Sequence, residues 1–200
     1  MRKTVIFGGT FNPIHNAHVK MVEEVSKLDF VERILIIPTF IPPHKTVKGF
    51  FASGKDRMEM CKLALGSIKK VEFCDLELNN NAKSYTINTL KTLKENFPNT
   101  DFALLIGGDM ISSFNKWYCY EEILKYASIL AVKRNTVDAA EFDSSVNGLI
   151  DIGADITVLQ IETQPFSSSD VRNFLEKGLD VSEFLDKKVI EYINKNNLYR

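Results

Sequence analysis

The sequence has few cysteines and no long hydrophobic run. Its 200 residues include three cysteines, Cys61, Cys74 and Cys119, which are widely spaced and form no Cys-x-x-Cys pair. This pattern argues against a disulfide framework or a structural zinc site built on cysteine. No stretch approaches the roughly 18 apolar residues of a membrane-spanning helix, and the apolar stretch before Gly8 is too short for a signal-peptide core. We therefore expect a cytoplasmic protein that does not bind membranes.

Neither sign of charge dominates the chain. Lysine and arginine number 25 against 26 acidic residues, which gives a formal net charge of -1. This balance excludes a protein driven onto nucleic acid by bulk positive charge, and no basic stripe is interleaved with aromatic residues. A local basic pocket remains compatible with it. The length and the 44% apolar content predict one domain over residues 1–200.

Short apolar runs alternate with segments of helical periodicity. Strands are predicted at residues 4–7, 34–37, 71–78, 102–106, 128–132 and 157–161. Helices are predicted from His15, from Ser53, over 87–97 and 121–126, from a cap at 167–170 through Glu176, and from about Ser182. Residues 135–155 are polar and give no clear prediction. The alternation predicts an α/β fold, Rossmann-like and doubly wound, with a mainly parallel sheet, helices on both faces and a helical part at about 165–200.

The predicted topology also indicates where a ligand binds. Right-handed crossovers bring the carboxyl ends of parallel strands to one edge of the sheet. Ligands of such sheets bind at this edge, near the point where the strand order reverses. Glycine pairs directly follow two of the predicted strands, at 8–9 and 107–108. We therefore expect both turns to face the functional site.

The most specific motif is Gly-Gly-Thr-Phe-Asn-Pro-Ile-His-Asn-Ala-His at residues 8–18. Glycines after a strand allow a ligand close to the backbone, and the N-terminus of the following helix attracts anions. His15 and His18, three residues apart, lie on one side of the first helical turn. The motif predicts a phosphate site, yet it is neither a dinucleotide fingerprint nor a Walker A loop. Surface histidines, or a zinc site with His44, are the alternatives, although the carboxylate pattern usual near zinc is missing.

Five further segments, together with the motif at 8–18, carry a resemblance to a known family. They are Ile-Pro-Pro-His-Lys at 41–45, Lys-Ser-Tyr-Thr at 83–86, Ile-Gly-Gly-Asp-Met at 106–110, Lys-Trp-Tyr at 116–118 and Phe-Ser-Ser-Ser-Asp-Val-Arg at 166–172. With the first motif, and in this order, they resemble the bacterial nicotinate-nucleotide adenylyltransferases, a branch of the nucleotidyltransferases with a histidine-x-glycine-histidine signature. The resemblance spans nearly the whole chain. Asn12, Ala17, Ser169 and Val171 depart from the family's usual Asp, Gly, Thr and Ile.

The resemblance implies that ATP and nicotinate mononucleotide react to give deamido-NAD and pyrophosphate. The attacking phosphate monoester has a second pKa near 6, so it is largely dianionic at neutral pH and needs no general base. Positioning and electrostatic stabilisation are then expected to carry catalysis. Mg²⁺ is expected to enter through the nucleotide's phosphate oxygens, with no ligand from protein side chains.

The resemblance also assigns residues to roles. The implied catalytic residues are His15, His18, Lys45 and Arg172. The implied ATP-binding residues are Gly8, Gly9, Thr10, Phe11, His15, His18, Gly107, Asp109, Ser167, Ser168, Ser169 and Arg172. The implied residues for the second substrate are His44, Lys45, Tyr85, Thr86, Trp117 and Tyr118.

Several of these side chains also have structural interpretations. Trp117 and Tyr85 could belong to the core, and Asp109 could cap a helix. Lys48, Lys55 and Arg57 are interpreted as ordinary surface charge.

Other functions stay open at this point. Sister enzymes use nicotinamide mononucleotide or phosphopantetheine, and the sequence does not separate the acid from the amide of the pyridine nucleotide. A non-catalytic sensor of ATP or NAD would be consistent with the departures at Asn12 and Ala17. The expected partners are ATP and nicotinate mononucleotide, without nucleic acid or membrane, and a homo-oligomer is left open.

Overall fold

The computed structural model describes residues 2–41, 51–79, 83–133 and 139–200. The strands are β1 (Lys3–Gly9), β2 (Val31–Pro38), β3 (Val71–Phe73), β4 (Phe102–Gly107), β5 (Ala127–Lys133) and β6 (Ile156–Gln160). The α-helices are α1 (Asn16–Ser26), α2 (Gly54–Leu65), α3 (Thr86–Asn96), α4 (Gly108–Ile111), α5 (Tyr120–Tyr126), α6 (Ala139–Asp151), α7 (Ser168–Glu176) and α8 (Lys187–Lys195). A short 3-10 helix spans Phe114–Lys116.

The strands form one parallel sheet in the order β3-β2-β1-β4-β5-β6. The chain first builds the sheet outward from β1 to β3, and then returns to add β4 on the other side of β1. The strand order therefore reverses between β1 and β4, as in a doubly wound fold. All six residues of β4 are buried, which is typical of a parallel strand covered on both faces. The predicted Rossmann-like α/β fold is confirmed.

The core consists of two layers, one on each face of the sheet. Because successive side chains of a strand point to opposite faces, Val5 and Ile6 of β1 belong to different layers. On one face Val5 shares its layer with residues of α1, α2, α7 and α8, such as Met21. On the other face Ile6 shares its layer with α3, α5 and α6, through residues such as Leu90 and Phe142.

The largest differences between prediction and structure concern the strand predicted at 71–78, the last helix and residues 139–151. The strand predicted at 71–78 ends at Phe73, because β3 is an edge strand that pairs only with β2 and the chain then turns toward α3. The last helix begins at Lys187 rather than near Ser182, because the Asp186 side chain caps it by accepting from the Lys188 N–H. Residues 139–151 form α6, although their polar composition gave no prediction.

The carboxyl-terminal segment packs against the rest of the chain. Helix α8 contacts α2, and the hydroxyl of Tyr192 donates to Asp56 Oδ1 at 2.9 Å. The penultimate residue, Tyr199, is buried with only 2% of its surface exposed. The apolar side of α8 is thus covered by this chain itself. Within the described ranges, no helix has both the length and the apolar content needed to cross a membrane.

Candidate active site

A cavity of about 570 Å³ opens at the carboxyl edge of the sheet, where the strand order reverses between β1 and β4. Its size is in the range of cofactor and small-molecule sites. Every predicted site residue that the structure describes lines it: Gly8, Gly9, Thr10, Phe11, His15, His18, Tyr85, Thr86, Gly107, Asp109, Trp117, Tyr118, Ser167, Ser168, Ser169 and Arg172. His44 and Lys45 lie outside the described residues. The fold therefore brings together segments that are up to about 160 positions apart in the sequence.

The loop after β1 folds back over its own strand. Phe11 has a left-handed backbone (φ 47°) and is buried, and this conformation is uncommon for a large side chain. A Cβ atom at Gly9 would lie 2.9 Å from the Phe11 ring, so glycine is required where the ring folds back. The Thr39 N–H, just after β2, donates to the Gly9 carbonyl at 2.9 Å. These contacts fix the loop that forms one wall of the cavity.

The two histidines of the first motif stack on each other at the start of α1. Their ring centroids are 3.7 Å apart and their planes differ by 26°. His15 is only 3% exposed and lies edge-on against Phe166, and half-buried His18 packs against Phe11. The His15 N–H donates to His18 Nδ1 at 3.4 Å, which makes Nε2 the nitrogen of His18 that carries the ring proton. The pair is thus held in one orientation at the cavity wall.

Helix α7 presents its N-terminus to the same wall. Ser167 is the N-cap: its hydroxyl accepts from the Asp170 N–H, and its own N–H donates to the Asp170 carboxylate at 2.8 Å. The Ser167 hydroxyl also donates to this carboxylate at 2.7 Å, and this bond, together with the one from the Ser167 N–H, holds the pKa of Asp170 below its usual range. The backbone N–H groups of the first turn give this end of the helix a partial positive charge, which suits an anionic ligand.

Side chains of α7 tie it to the loop after β1. The Ser168 hydroxyl donates to the Pro13 carbonyl at 2.9 Å. Arg172 donates through Nη1 to the Asn12 carbonyl at 2.8 Å and through Nη2 to the Ser169 hydroxyl at 3.0 Å. Arg172 therefore lies between the loop after β1 and the first turn of α7, and it lines the cavity. A guanidinium fork in this position suits a phosphate group.

The opposite wall is aromatic. Tyr85 and Thr86 lie at the start of α3, and the Tyr85 ring contacts the Tyr118 ring with centroids 4.9 Å apart. Trp117 is half-buried and packs against Phe114 at 5.0 Å, and its indole Nε1 has no hydrogen-bond partner among the described residues. Tyr118 is exposed. Trp117 thus contributes both to packing and to the cavity surface.

Between these walls, β4 ends at Gly107 and α4 begins directly after it. Asp109 lies in the first turn of α4, is exposed and lines the cavity. Because Gly107 is the N-cap of α4 and contributes no side chain, the backbone at this end of β4 is accessible to a ligand. This arrangement suits a group with hydroxyls to donate, such as a ribose.

Sequence reasoning missed several polar residues of the cavity, among them Thr39 and Glu77. Thr39 follows β2, and Glu77 lies in the turn after β3. Glu77 is 9% exposed and its Oε1 accepts from the Thr89 hydroxyl at 2.6 Å. Both residues lie outside the recognised motifs, and only the fold brings them to the site.

With this geometry in place, comparison with known proteins is informative. The cytidylyltransferase-like family model matches residues 6–174. A probable nicotinate-nucleotide adenylyltransferase of Listeria monocytogenes serotype 4a (strain HCC23) is 36% identical over 98% of this chain and 97% of its own length. One from Lactococcus lactis subsp. lactis (strain IL1403) is 32% identical over 100% and 96%. The chain belongs to the nicotinate-nucleotide adenylyltransferase family.

A solved structure supports the same fold for this family. Plasmodium falciparum nicotinic acid mononucleotide adenylyltransferase, complexed with NaAD, superposes with a TM-score of 0.81 at 24% identity. The superposition covers 100% of this chain and 98% of that one. At this identity the likeness concerns the fold.

The departures from the adenylyltransferase pattern are compatible with the geometry. Asn12 is buried, and its Oδ1 accepts from the Ala52 N–H at 3.0 Å and from the Tyr199 hydroxyl at 2.8 Å. An aspartate oxygen would accept the same two bonds. Ala17 is buried in α1 and is not among the cavity-lining residues. Neither departure removes a donor from the cavity wall.

Arg57 corrects an interpretation made from the sequence. We expected surface charge at Lys48, Lys55 and Arg57, and this was wrong for Arg57, which is 1% exposed. Its Nη1 donates to the Thr10 carbonyl at 2.7 Å and its Nε to the Ala52 carbonyl at 3.1 Å. Burial lowers the pKa of Arg57 from its ordinary value. Lys55 is exposed as expected, and Lys48 lies outside the described residues.

Metal-ligating side chains do not cluster among the described residues. Within the described part of the chain, no group of three or more His, Cys, Asp or Glu side chains could hold a metal ion. A zinc site made of three histidines therefore has no support there, because His44 is outside those residues.

Proposed function

We propose that this protein transfers the adenylyl group of ATP to nicotinate mononucleotide, giving deamido-NAD and pyrophosphate as a step of NAD biosynthesis. One observation carries the proposal: a single cavity joins a phosphate-binding wall around His15, His18 and Arg172 to an aromatic wall around Tyr85 and Trp117. The names of the relatives and the NaAD complex of the Plasmodium structure support it. We assign the reaction to a single domain over residues 1–200, acting in the cytoplasm.

In the proposed reaction a phosphate oxygen of nicotinate mononucleotide attacks the α-phosphorus of ATP. A new O–P bond forms as the bond to pyrophosphate breaks, and the electron pair leaves with pyrophosphate. Because the nucleophile is already largely dianionic, the barrier comes mainly from bringing anions together. We assign the lowering of this barrier to His15, His18, Arg172 and the N-terminus of α7, which supply hydrogen-bond donors and positive charge. Lys45 is assigned to the same group by family resemblance.

The remaining residues are proposed to orient the two nucleotides. The loop at 8–11 and the three serines 167–169 would bind the ATP phosphates. Gly107 would lie against adenosine, and Asp109 would accept hydrogen bonds from its ribose. Trp117 would stack on the pyridine ring, with Tyr85, Thr86, Tyr118 and His44 completing that subsite. Mg²⁺ would arrive with ATP and be held mainly through phosphate oxygens.

The first test is pyrophosphate release by the purified protein with Mg²⁺ and ATP. Parallel reactions contain nicotinate mononucleotide, nicotinamide mononucleotide or phosphopantetheine, and the products are identified by mass. We expect the fastest turnover with nicotinate mononucleotide. Comparable turnover with the amide would indicate dual specificity. No turnover with any acceptor, together with measurable ATP binding, would favour the sensor alternative and refute the proposal.

Cysteine chemistry is expected to play no part. Burial raises the pKa of the Cys61 thiol far above neutrality and also raises that of Cys74, so neither supplies a thiolate at pH 7. Cys119 is exposed but does not line the cavity. The triple variant Cys61→Ala, Cys74→Ser, Cys119→Ser should retain kcat within about threefold, measured as pyrophosphate release. A triple variant that folds but has no activity would show that a cysteine is essential and that the proposed mechanism is incomplete.

A further inference from the structure

Tyr199 is buried beneath the loop after β1, although it lies far from that loop in the sequence. Its surface is only 2% exposed, and it belongs to the same core layer as Val5 of β1 and Val171 of α7. The Tyr199 backbone is left-handed, with φ at 62°, and this conformation is strained for a bulky residue. Such strain persists only where the surrounding contacts hold the residue in place. The contacts of this side chain are therefore informative.

The Tyr199 hydroxyl holds the side chain of Asn12. It donates to Asn12 Oδ1 at 2.8 Å, and the Ala52 N–H donates to the same oxygen at 3.0 Å. Burial raises the pKa of Tyr199 above its ordinary value, so the hydroxyl keeps its proton and remains a donor. Asn12 is only 2% exposed, which keeps water from competing for its oxygen. Its side chain is thus fixed from two directions, by Tyr199 and by the segment before α2.

The backbone carbonyl of the same residue, Asn12, orients Arg172. Arg172 donates to this carbonyl through Nη1 at 2.8 Å, and to the Ser169 hydroxyl through Nη2 at 3.0 Å. Because Ser169 stands one turn earlier in α7, its bond moves with the helix that carries Arg172. Among the described residues, the bond to Asn12 is therefore the hydrogen bond that ties the guanidinium to the loop after β1.

A displacement of Asn12 would reach Arg172. Its side-chain oxygen and its carbonyl belong to one residue, so only a few bonds separate the atom that Tyr199 holds from the atom that Arg172 contacts. Restraining Oδ1 restricts where the carbonyl lies, and a shift of the carbonyl changes the position of the guanidinium. A misplacement of about 1 Å in a group that acts on the reacting atoms can cost about 10²-fold in rate.

We propose that Tyr199 is a positioning residue of the phosphate-binding wall: its hydroxyl holds Asn12, and the Asn12 carbonyl holds the Arg172 guanidinium where it meets the phosphates of ATP. This inference rests on the proposed function, because it concerns the transition state of that reaction. It extends the site to a residue that does not itself line the cavity. It also gives the strained backbone at Tyr199 a functional reason.

The test is a double-mutant cycle between Tyr199 and Arg172, measured as steady-state pyrophosphate release. Tyr199→Phe removes one oxygen and keeps the ring, so kcat should fall by about fivefold or more. KM for nicotinate mononucleotide should change by less than about twofold, since the aromatic wall is unaltered. In the Arg172→Ala background the same substitution should change kcat by less than about twofold, because no guanidinium is left to position. A merely structural role would instead lower kcat by the same factor in both backgrounds.

Tyr192→Phe is the matched control. The Tyr192 hydroxyl donates to Asp56 Oδ1 of α2 at 2.9 Å, so this substitution removes the same group from the same end of the chain and spares the bonds of Asn12. It should leave kcat unaltered. Thermal melting of every single and double variant sets an assay temperature at which all of them are folded.

The outcomes separate this inference from the proposed function. If the wild type adenylylates nicotinate mononucleotide and folded Tyr199→Phe does so equally fast, the role of Tyr199 is refuted and the function stands. Equal factors of loss in the two Arg172 backgrounds, or an equal loss in Tyr192→Phe, would also refute that role, because they would show a general loosening of the fold. If the wild type releases no pyrophosphate with any acceptor, the proposed function itself fails, and this inference with it.

Discussion

Arg172→Ala is expected to lower kcat by about 10²–10³, and His18→Ala by a similar factor, which is the usual scale for removing one donor to transition-state charge. Both side chains line the cavity, and Arg172 links the loop after β1 to the first turn of α7. A loss of this size would be measured as steady-state pyrophosphate release at saturating ATP and nicotinate mononucleotide.

Two comparisons make that result specific. Arg172→Lys keeps the charge but loses the planar fork, so it should fall between wild type and alanine. Lys177→Ala changes an exposed cation at the other end of α7 and should leave kcat unaltered. Circular dichroism and thermal melting would show that each variant is folded. Near-normal turnover in folded Arg172→Ala or His18→Ala would remove the role assigned to that residue.

The parts of the fold that were predictable share one physical property. Strands such as β1, β4 and β5 are buried on both faces, so their sequences are continuous apolar runs ending at glycine or a charged residue. Edge elements lack this signal. At β3 apolar residues recur in the sequence as far as Leu78, but the sheet offers a partner for only three residues.

Helix α6 shows a different limit. Its buried residues Phe142, Val146 and Leu149 follow helical spacing, yet the surrounding serine, aspartate and asparagine residues lower its helix propensity. The helical spacing of these apolar residues was visible in the sequence, but the polar composition around them outweighed it in the prediction. Tertiary packing on the sheet supplies the stability that local preference does not.

The same distinction applies to the candidate site. Residues in contiguous motifs, such as His15, His18 and Ser167, were predictable. They stand beside a glycine turn or a helix N-terminus, and such local features are recognisable in the sequence. Arg57 acts through Thr10, a partner 47 positions away, and no local motif marks Glu77. For Arg57 one signal was available, since it stands four residues before Cys61 and eight before Leu65 in a buried stripe of α2.

Arg57→Met should produce the largest loss of stability among the substitutions considered. The arginine is 1% exposed and donates to the carbonyls of Thr10 and Ala52, while its guanidinium lies 4.7 Å from the Phe51 ring centroid. Methionine fills much of the volume but leaves two buried acceptors without donors. Unsatisfied buried groups of this kind cost about 1–3 kcal/mol each, so we expect the free energy of unfolding to fall by about 2–4 kcal/mol.

Urea denaturation, followed by circular dichroism, measures this loss as a lower midpoint at unchanged m-value. Lys55→Met, at an exposed position two residues earlier in α2, is the matched control and should leave the midpoint nearly unchanged. Tyr199→Phe removes one hydrogen bond to Asn12 in the same buried network and should cost about 1 kcal/mol. An Arg57→Met midpoint equal to that of the control would mean that this network does not stabilise the fold. The expected ordering of midpoints, Arg57→Met below Tyr199→Phe below Lys55→Met, would instead show that α2 and the carboxyl-terminal residues stabilise the loop after β1.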